Sequence, residues 1–264
     1  MKKIFFFHIT KTAGTSLRNL LLKNYGENQI YDSCANSRGP NAGSDLLYEN
    51  NLDLFPQKNC FMGHYRSNIL PIIPNSFFRF TFLREPVSRA VSWFYYLKKS
   101  NHFTSPLTLE EFFFDVPIQS KYKKTATLAY FKQATNVYVR SFTNNLGKDI
   151  NFINQNNYTN AITNMHYYFD FIGFLEKYNE STFILSKLCN FDDIFYEKLN
   201  VISKPKSYRN YRKELGDELF NQIISYNKYD VELYSYARNI TKDFYKNFIS
   251  KNLEEFEKSK NTAS

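Results

Sequence analysis

The sequence predicts an α/β fold: one domain with a central parallel β-sheet flanked by helices. A continuous apolar, aromatic run of strand length occurs at residues 4–9, and aromatic-rich runs that also read as strands occur at 77–83 and 169–174. Runs that are apolar on both faces are how strands buried inside a parallel sheet read. The first two runs are each followed by a tight turn and a helical pattern, and strands alternating with helices indicate βαβ units. No internal repeat interrupts this order.

The elements follow in sequence. Residues 4–9 read as the first strand, TKTAGTS at 10–16 as a small-residue turn, and Leu17, Leu20, Leu21 and Leu22 as one face of a helix ending near Tyr25. Residues 26–58 are rich in Asn, Ser, Gly and Asp and read as loops, with one short helix around 45–50. The apolar run 60–63 before His64 reads as a strand end. FFRFTFL at 77–83 is the second clear strand, and Pro86 suits the first turn of a helix over 87–99. Residues 106–146 look helical, with Leu109, Phe112 and Phe113 on one face. FDFIGF at 169–174 is a third strand, followed by an amphipathic helix over 180–189. A basic loop spans 197–213, two helical patterns span 214–256, and residues 257–264 read as a disordered tail. The expected domain is therefore 1–256.

Composition bounds the function. The 264 residues are 43% hydrophobic and 19% aromatic, which supports a large core and excludes global disorder. With 8 Gly and 8 Pro the chain is not collagen-like or of low complexity. A net charge of +9 suits an anionic partner: a phosphorylated cofactor, an acidic polymer, nucleic acid or a membrane face. Lysine is also a common surface residue, so charge alone does not choose among these. Cys34, Cys60 and Cys189 are far apart, which argues against a disulfide framework or metal cluster and suits a cytoplasmic protein with reduced thiols. The opening MKKIFFFHIT is too short in its apolar part for a signal peptide, and no run approaches the ~20 apolar residues of a membrane helix.

Two segments carry chemistry. Lys11 to Ser16 is a Gly-containing loop between a strand and a helix, where backbone N–H groups and the helix dipole favour a phosphate. Thr12, Thr15 and Ser16 add hydroxyls and Lys11 a positive charge. The same residues also fit an ordinary helix start capped by Thr15 or Ser16. The loop is not a Walker A motif, because Lys11 precedes its one glycine, Gly14. No apolar strand ends in an Asp suited to magnesium, so a nucleotide kinase lacks its metal-holding parts. In LREPVSRAVSWFYY at 83–96, Arg84 follows a strand's C-terminal end and Ser92 lies two helical turns on; Arg84 suits a phosphate, with Arg89 a second candidate. Taken singly, each reads better as an ordinary solvent-facing Arg or helix Ser. Of the four histidines, His64 follows a strand end and could act as a base near neutral pH, or be a structural residue at a turn. His8 reads as structural and His102 as a weaker rival.

These segments resemble a known family. HITKTAGTSL at 8–17 resembles the 5′-phosphosulfate loop of the carbohydrate sulfotransferases, with Thr10 where the family usually has Pro. FLREPVSRAVSWFYYL at 82–97 resembles their 3′-phosphate motif. FDFIGFLEKYNES at 169–181 and NKYDVELYSYA at 227–237 resemble later blocks, so the likeness extends from residue 4 to about 237. It is greatest to the group containing the heparan 2-O-sulfotransferases and many bacterial homologues.

The resemblance implies a P-loop fold like that of nucleotide kinases and a donor, 3′-phosphoadenosine 5′-phosphosulfate (PAPS). Lys11 would contact the bridge between sulfate and 5′-phosphate. Thr12, Ala13, Gly14, Thr15 and Ser16 would bind the 5′-phosphate, and Arg84 and Ser92 the 3′-phosphate. His64, in a Gly-His pair between the two motifs, would be the catalytic base. NVYVR at 136–140 looks like a further block that sets Asn136 and Arg140 near the acceptor or cofactor, and the basic loop 203–209 could close over the cofactor or simply be solvated. No metal is expected, since Lys11 does the electrostatic work. The acceptor implied is a carbohydrate hydroxyl, and usage rich in Lys, Asn, Phe and Ile suggests a bacterial surface glycan or its precursor. Nucleic acid is not an expected partner. The rivals are a nucleotide-dependent kinase and a non-catalytic module for acidic glycans.

Overall fold

The computed structural model describes residues 1–33, 54–103, 105–123, 125–192 and 208–261. Cys34, the helix expected around 45–50, most of the basic loop 203–209 and residues 262–264 lie outside them. Along the chain the elements are β1 (Lys3–Phe7), α1 (Gly14–Tyr25), β2 (Ile30–Asp32), α2 (Leu54–Gln57), β3 (Cys60–Gly63), β4 (Phe77–Leu83), α3 (Pro86–Lys99), α4 (Leu109–Phe114), α5 (Ala126–Lys132), α6 (Val137–Phe142), α7 (Gln155–Tyr168), β5 (Phe171–Phe174), α8 (Tyr178–Cys189), α9 (Tyr208–Leu215), α10 (Asp217–Tyr226), α11 (Lys228–Lys251) and α12 (Leu253–Asn261). They form two compact units, Met1–Leu83 with Asn164–Ile202 and Ala237–Ser264, and Arg84–Thr163 with Ser203–Tyr236.

The first unit holds the parallel sheet that the apolar runs predict, in the order β2-β3-β1-β4-β5. Ile4, Phe5, Phe6 and Phe7 in the central β1 are almost wholly buried. Burying one such side chain stabilises the fold by about 1.5–3 kcal/mol. β2 lies in the stretch expected to be loop. Its three residues are too few to show a period, and pairing to β3 rather than local propensity makes it a strand.

After β1 the chain moves to β2 and β3 on one side of the sheet, and after β4 to β5 on the other. The topological switch therefore falls at the carboxyl ends of β1 and β4, where open α/β sheets gather ligands. At the other end of the chain, α12 continues helix past residue 256, where a tail was expected. Phe256 is buried with its ring on Phe183, and Glu255 pairs with Lys187, so the helix is held by α8.

The second unit, among its described residues, is helical around a core of Trp93, Phe94, Phe112, Phe113, Phe131 and Ile223. The helical stretch expected over 106–146 is divided. Thr108 and Glu111 form a capping box that starts α4, Thr125 caps α5, and Asn136 adopts a left-handed conformation (φ 42°) before α6.

Candidate functional site

The residues between β1 and α1 form an unusual turn. Lys11 (φ 68°) and Ala13 (φ 76°) are both left-handed although neither is glycine. Such strain persists where surrounding structure imposes it, and it clusters at ligand sites. The Thr12 hydroxyl, fully buried, donates to the Ile9 carbonyl at 2.7 Å and pins the turn from inside. No side chain caps α1. The helix begins at Gly14 with Ala13 at its N-cap, so Thr15 and Ser16 stand inside its first turn and not at the cap position. What remains is the amide end of a 12-residue helix with Lys11 beside it.

His64 enters through the sheet register. Phe7 of β1 is paired with Gly63 of β3, so the next residues, His8 and His64, leave the sheet side by side. The His8 amide donates to the Gly63 carbonyl at 2.9 Å, and the two imidazoles stack with centroids 4.2 Å apart and planes 28° apart. Gly63 has φ +155°, and a Cβ there would lie 1.6 Å from the Ser33 hydroxyl oxygen, so only glycine fits. His64 Nδ1 lies 2.9 Å from the His8 carbonyl oxygen. A carbonyl can only accept, so Nδ1 carries the hydrogen and the neutral ring has its lone pair on Nε2.

Burial lowers the pKa of His64 below the usual imidazole value, partly offset by the bond to the His8 carbonyl and by Asp32. Burial, reinforced by His64 and Lys11, holds His8 well below that value. Both rings are therefore neutral near pH 7. Asp32, at the end of β2, is itself engaged by Arg18 at 2.6 Å.

In the second unit, Glu85 caps α3 by accepting from the amides of Val87 and Ser88 at 2.8 and 2.7 Å. Pro86 fills the first helical position, as its sequence place suggested. The backbone of Arg84 is clamped by the Tyr138 hydroxyl, which meets both its N–H and its carbonyl. Arg84 Nε donates to the Ser88 hydroxyl at 2.8 Å, and Ser88 in turn meets the Tyr211 hydroxyl at 3.0 Å. Ser92 is partly buried one turn beyond Ser88 on the same helix face. Sequence reasoning passed over Ser88 and Tyr211. The i, i+4 spacing of Arg84 and Ser88 was a usable signal; Tyr211, 123 residues away, offered none.

The structure thus brings Lys11, Thr12, Ala13, Gly14, Thr15, Ser16 and His64 into the first unit and Arg84 and Ser92 into the second. Arg89 is fully buried and donates to the Gln133 carbonyl, inside the unit rather than at its surface. Asn136 and Arg140, expected near the acceptor or cofactor, have their side chains engaged with backbone groups of the second unit. Arg140 donates to the carbonyls of Thr135, Asn145, Lys148, Asp149 and Ile150, tying down the turn after α6. His102 lies between the rings of Tyr96 and Tyr130 in the second unit.

The model of the sulfotransferase family matches residues 1–237, the span that contains both loops and His64. The chain belongs to the sulfotransferase family. A crystal structure of a sulfotransferase from Alicyclobacillus acidocaldarius is similar at a TM-score of 0.43 and 12% identity, over 88% of this chain and 96% of that one. No curated protein matches this sulfotransferase in sequence. Among its described residues no helix is long and apolar enough to cross a membrane, and no group of three or more His, Cys, Asp or Glu could hold a metal ion.

Proposed function

We propose that this sulfotransferase uses PAPS as donor and transfers its sulfuryl group to a carbohydrate hydroxyl, with His64 as the base. Family membership supports sulfuryl transfer in general. The observation that carries the finer reading is the fixed tautomer of His64: Nδ1 is held by the His8 carbonyl, which leaves Nε2 able to accept a proton. The uncapped amide end of α1 and Lys11 fit a phosphate group, and PAPS supplies an activated sulfuryl on such a phosphate.

In this mechanism His64 Nε2 takes the proton of the acceptor hydroxyl as its oxygen bonds to sulfur. The sulfur–oxygen bond to the 5′-phosphate breaks, and Lys11 with the loop amides stabilises the charge left on the phosphate oxygen. Arg84 and Ser92 bind the 3′-phosphate, with Ser88 and Tyr211 orienting the Arg84 side chain. The products are a sulfate ester and 3′-phosphoadenosine 5′-phosphate (PAP). A carbohydrate acceptor rests on the motif resemblance to the heparan 2-O-sulfotransferase group, and a bacterial surface glycan on the usage rich in Lys, Asn, Phe and Ile. A cytoplasmic site of action rests on the wide sequence spacing of Cys34, Cys60 and Cys189.

A thermal-shift panel tests the reading. PAP should raise Tm, since a ligand that binds the native state stabilises it. Stabilisation by ATP–magnesium and not PAP would favour a kinase, and by a sulfated glycan alone a non-catalytic glycan-binding module.

A further inference from the structure

We propose that His8 is a positioning residue for His64: its ring is a spacer that transmits the position of the Lys11–Ser16 loop to the base. This rests on the reading of His64 as base.

The geometry is specific on both sides of the ring. On one side, the imidazole of His8 packs against the backbone of Gly14, the first residue of α1. A Cβ added at Gly14 would lie 2.0 Å from both Cε1 and Nε2 of His8 and 2.8 Å from Cδ2. On another, it stacks on His64 at 4.2 Å, and the ring of Phe6 stacks on it at 5.3 Å. His8 therefore touches the start of the anion loop's helix and the base at once, while its own carbonyl fixes the base's tautomer.

The imidazole at this place carries a polar cost. His8 Nε2 is buried and has no hydrogen-bond partner, which costs stability that an apolar side chain would not. What an imidazole supplies is a flat ring thin enough to fit between Gly14 and His64. The charged groups around the pair are Lys11 from the loop and Asp32 from β2, the latter already engaged by Arg18 of α1. Shifts in the loop move the ring, and the ring moves His64.

The test follows His64 itself by 15N NMR of the full-length protein, alongside sulfate release from PAPS with water as acceptor. In wild type the His64 signals should report a neutral ring protonated at Nδ1. In His8→Ala water reaches the exposed ring face, so the His64 pKa should rise toward 6.5, the Nδ1 tautomer should lose its dominance, and kcat should fall about tenfold with PAP affinity within twofold. Gly14→Ala should perturb the same His64 signals by evicting the His8 ring. In the double variant the second substitution should add much less than it does alone, because the ring it would strike is gone.

Unchanged His64 signals and pH profile in both single variants, or strictly additive effects in the double variant, would overturn the proposal. If those results came with a His64→Ala protein that had lost turnover, the base assignment would stand and the spacer role alone would fail. A His64→Ala protein with normal turnover would remove the base reading itself.

Discussion

Asn136 and Asp230 cap each other's helices. The Asn136 side-chain oxygen accepts from the amides of Tyr229 and Asp230 at the start of α11, both at 3.1 Å. The Asp230 carboxylate accepts from the amides of Tyr138 and Val139 at the start of α6, at 2.9 and 3.0 Å. Asp230 is fully buried and Asn136 nearly so, and four orphan helix amides are satisfied by two side chains 94 positions apart.

Asp230→Ala should therefore destabilise the fold by about 2–6 kcal/mol, since two buried amides lose their acceptors at about 1–3 kcal/mol each. Asn136→Ala should cost less. The two losses should not add, because each variant disturbs the same junction. Urea titration of the single and double variants measures this; strictly additive losses would show the caps to be independent.

Burial raises the Asp230 pKa to about 6, against an ordinary value of 3.8. The folded state thus binds this proton more tightly than the unfolded state. That contribution is complete below pH 3.8 and is lost as pH rises through about 6. The Tm of wild type should carry a falling component across this window that Asp230→Asn lacks.

His64→Ala should lower kcat by about 10²–10⁴, the usual span for general-base catalysis, and leave PAP affinity nearly unchanged. Lys11→Ala should lower both kcat and PAPS affinity if the proposed role of its charge at the donor's 5′-phosphate holds. Calorimetry and steady-state kinetics on the two variants separate the roles.

Burial depresses the His64 pKa, and only the neutral ring accepts a proton. The acid limb of the kcat profile should have its midpoint below the ordinary 6.5, so more than half of full activity should be present at that pH. A midpoint at or above it would mean that the ring is solvated or that another group is the base.

PAP should bind at least about tenfold more tightly than adenosine 5′-phosphate, because charge-assisted hydrogen bonds from Arg84 are worth about 1.5–3 kcal/mol each. Arg84→Lys should lose most of this preference. Lysine has no Nε to hold Ser88, so the side chain loses the support that orients it. Equal affinities in wild type would remove Arg84 from the 3′-phosphate site.

Elements with a local cause can be read directly from the chain. Phe5, Phe6 and Phe7 cannot be left in water, so β1 is a buried strand wherever it lies. Pro86 after a strand end starts a helix, and the small residues around Gly14 let the chain turn tightly into α1. The loops at Lys11 and Arg84, and the family they indicate, were legible for the same reason: each is one contiguous segment. The tertiary structure decided what depends on partners distant in sequence. β2 is a strand because β3 accepts it. His64 meets His8 because Phe7 and Gly63 share a register across 56 residues, and a register slip of one would turn both rings to opposite faces. Asn136 and Arg140 were placed near the site by the resemblance of NVYVR to a family block; folding engages them with buried backbone groups, which must be satisfied when water is excluded.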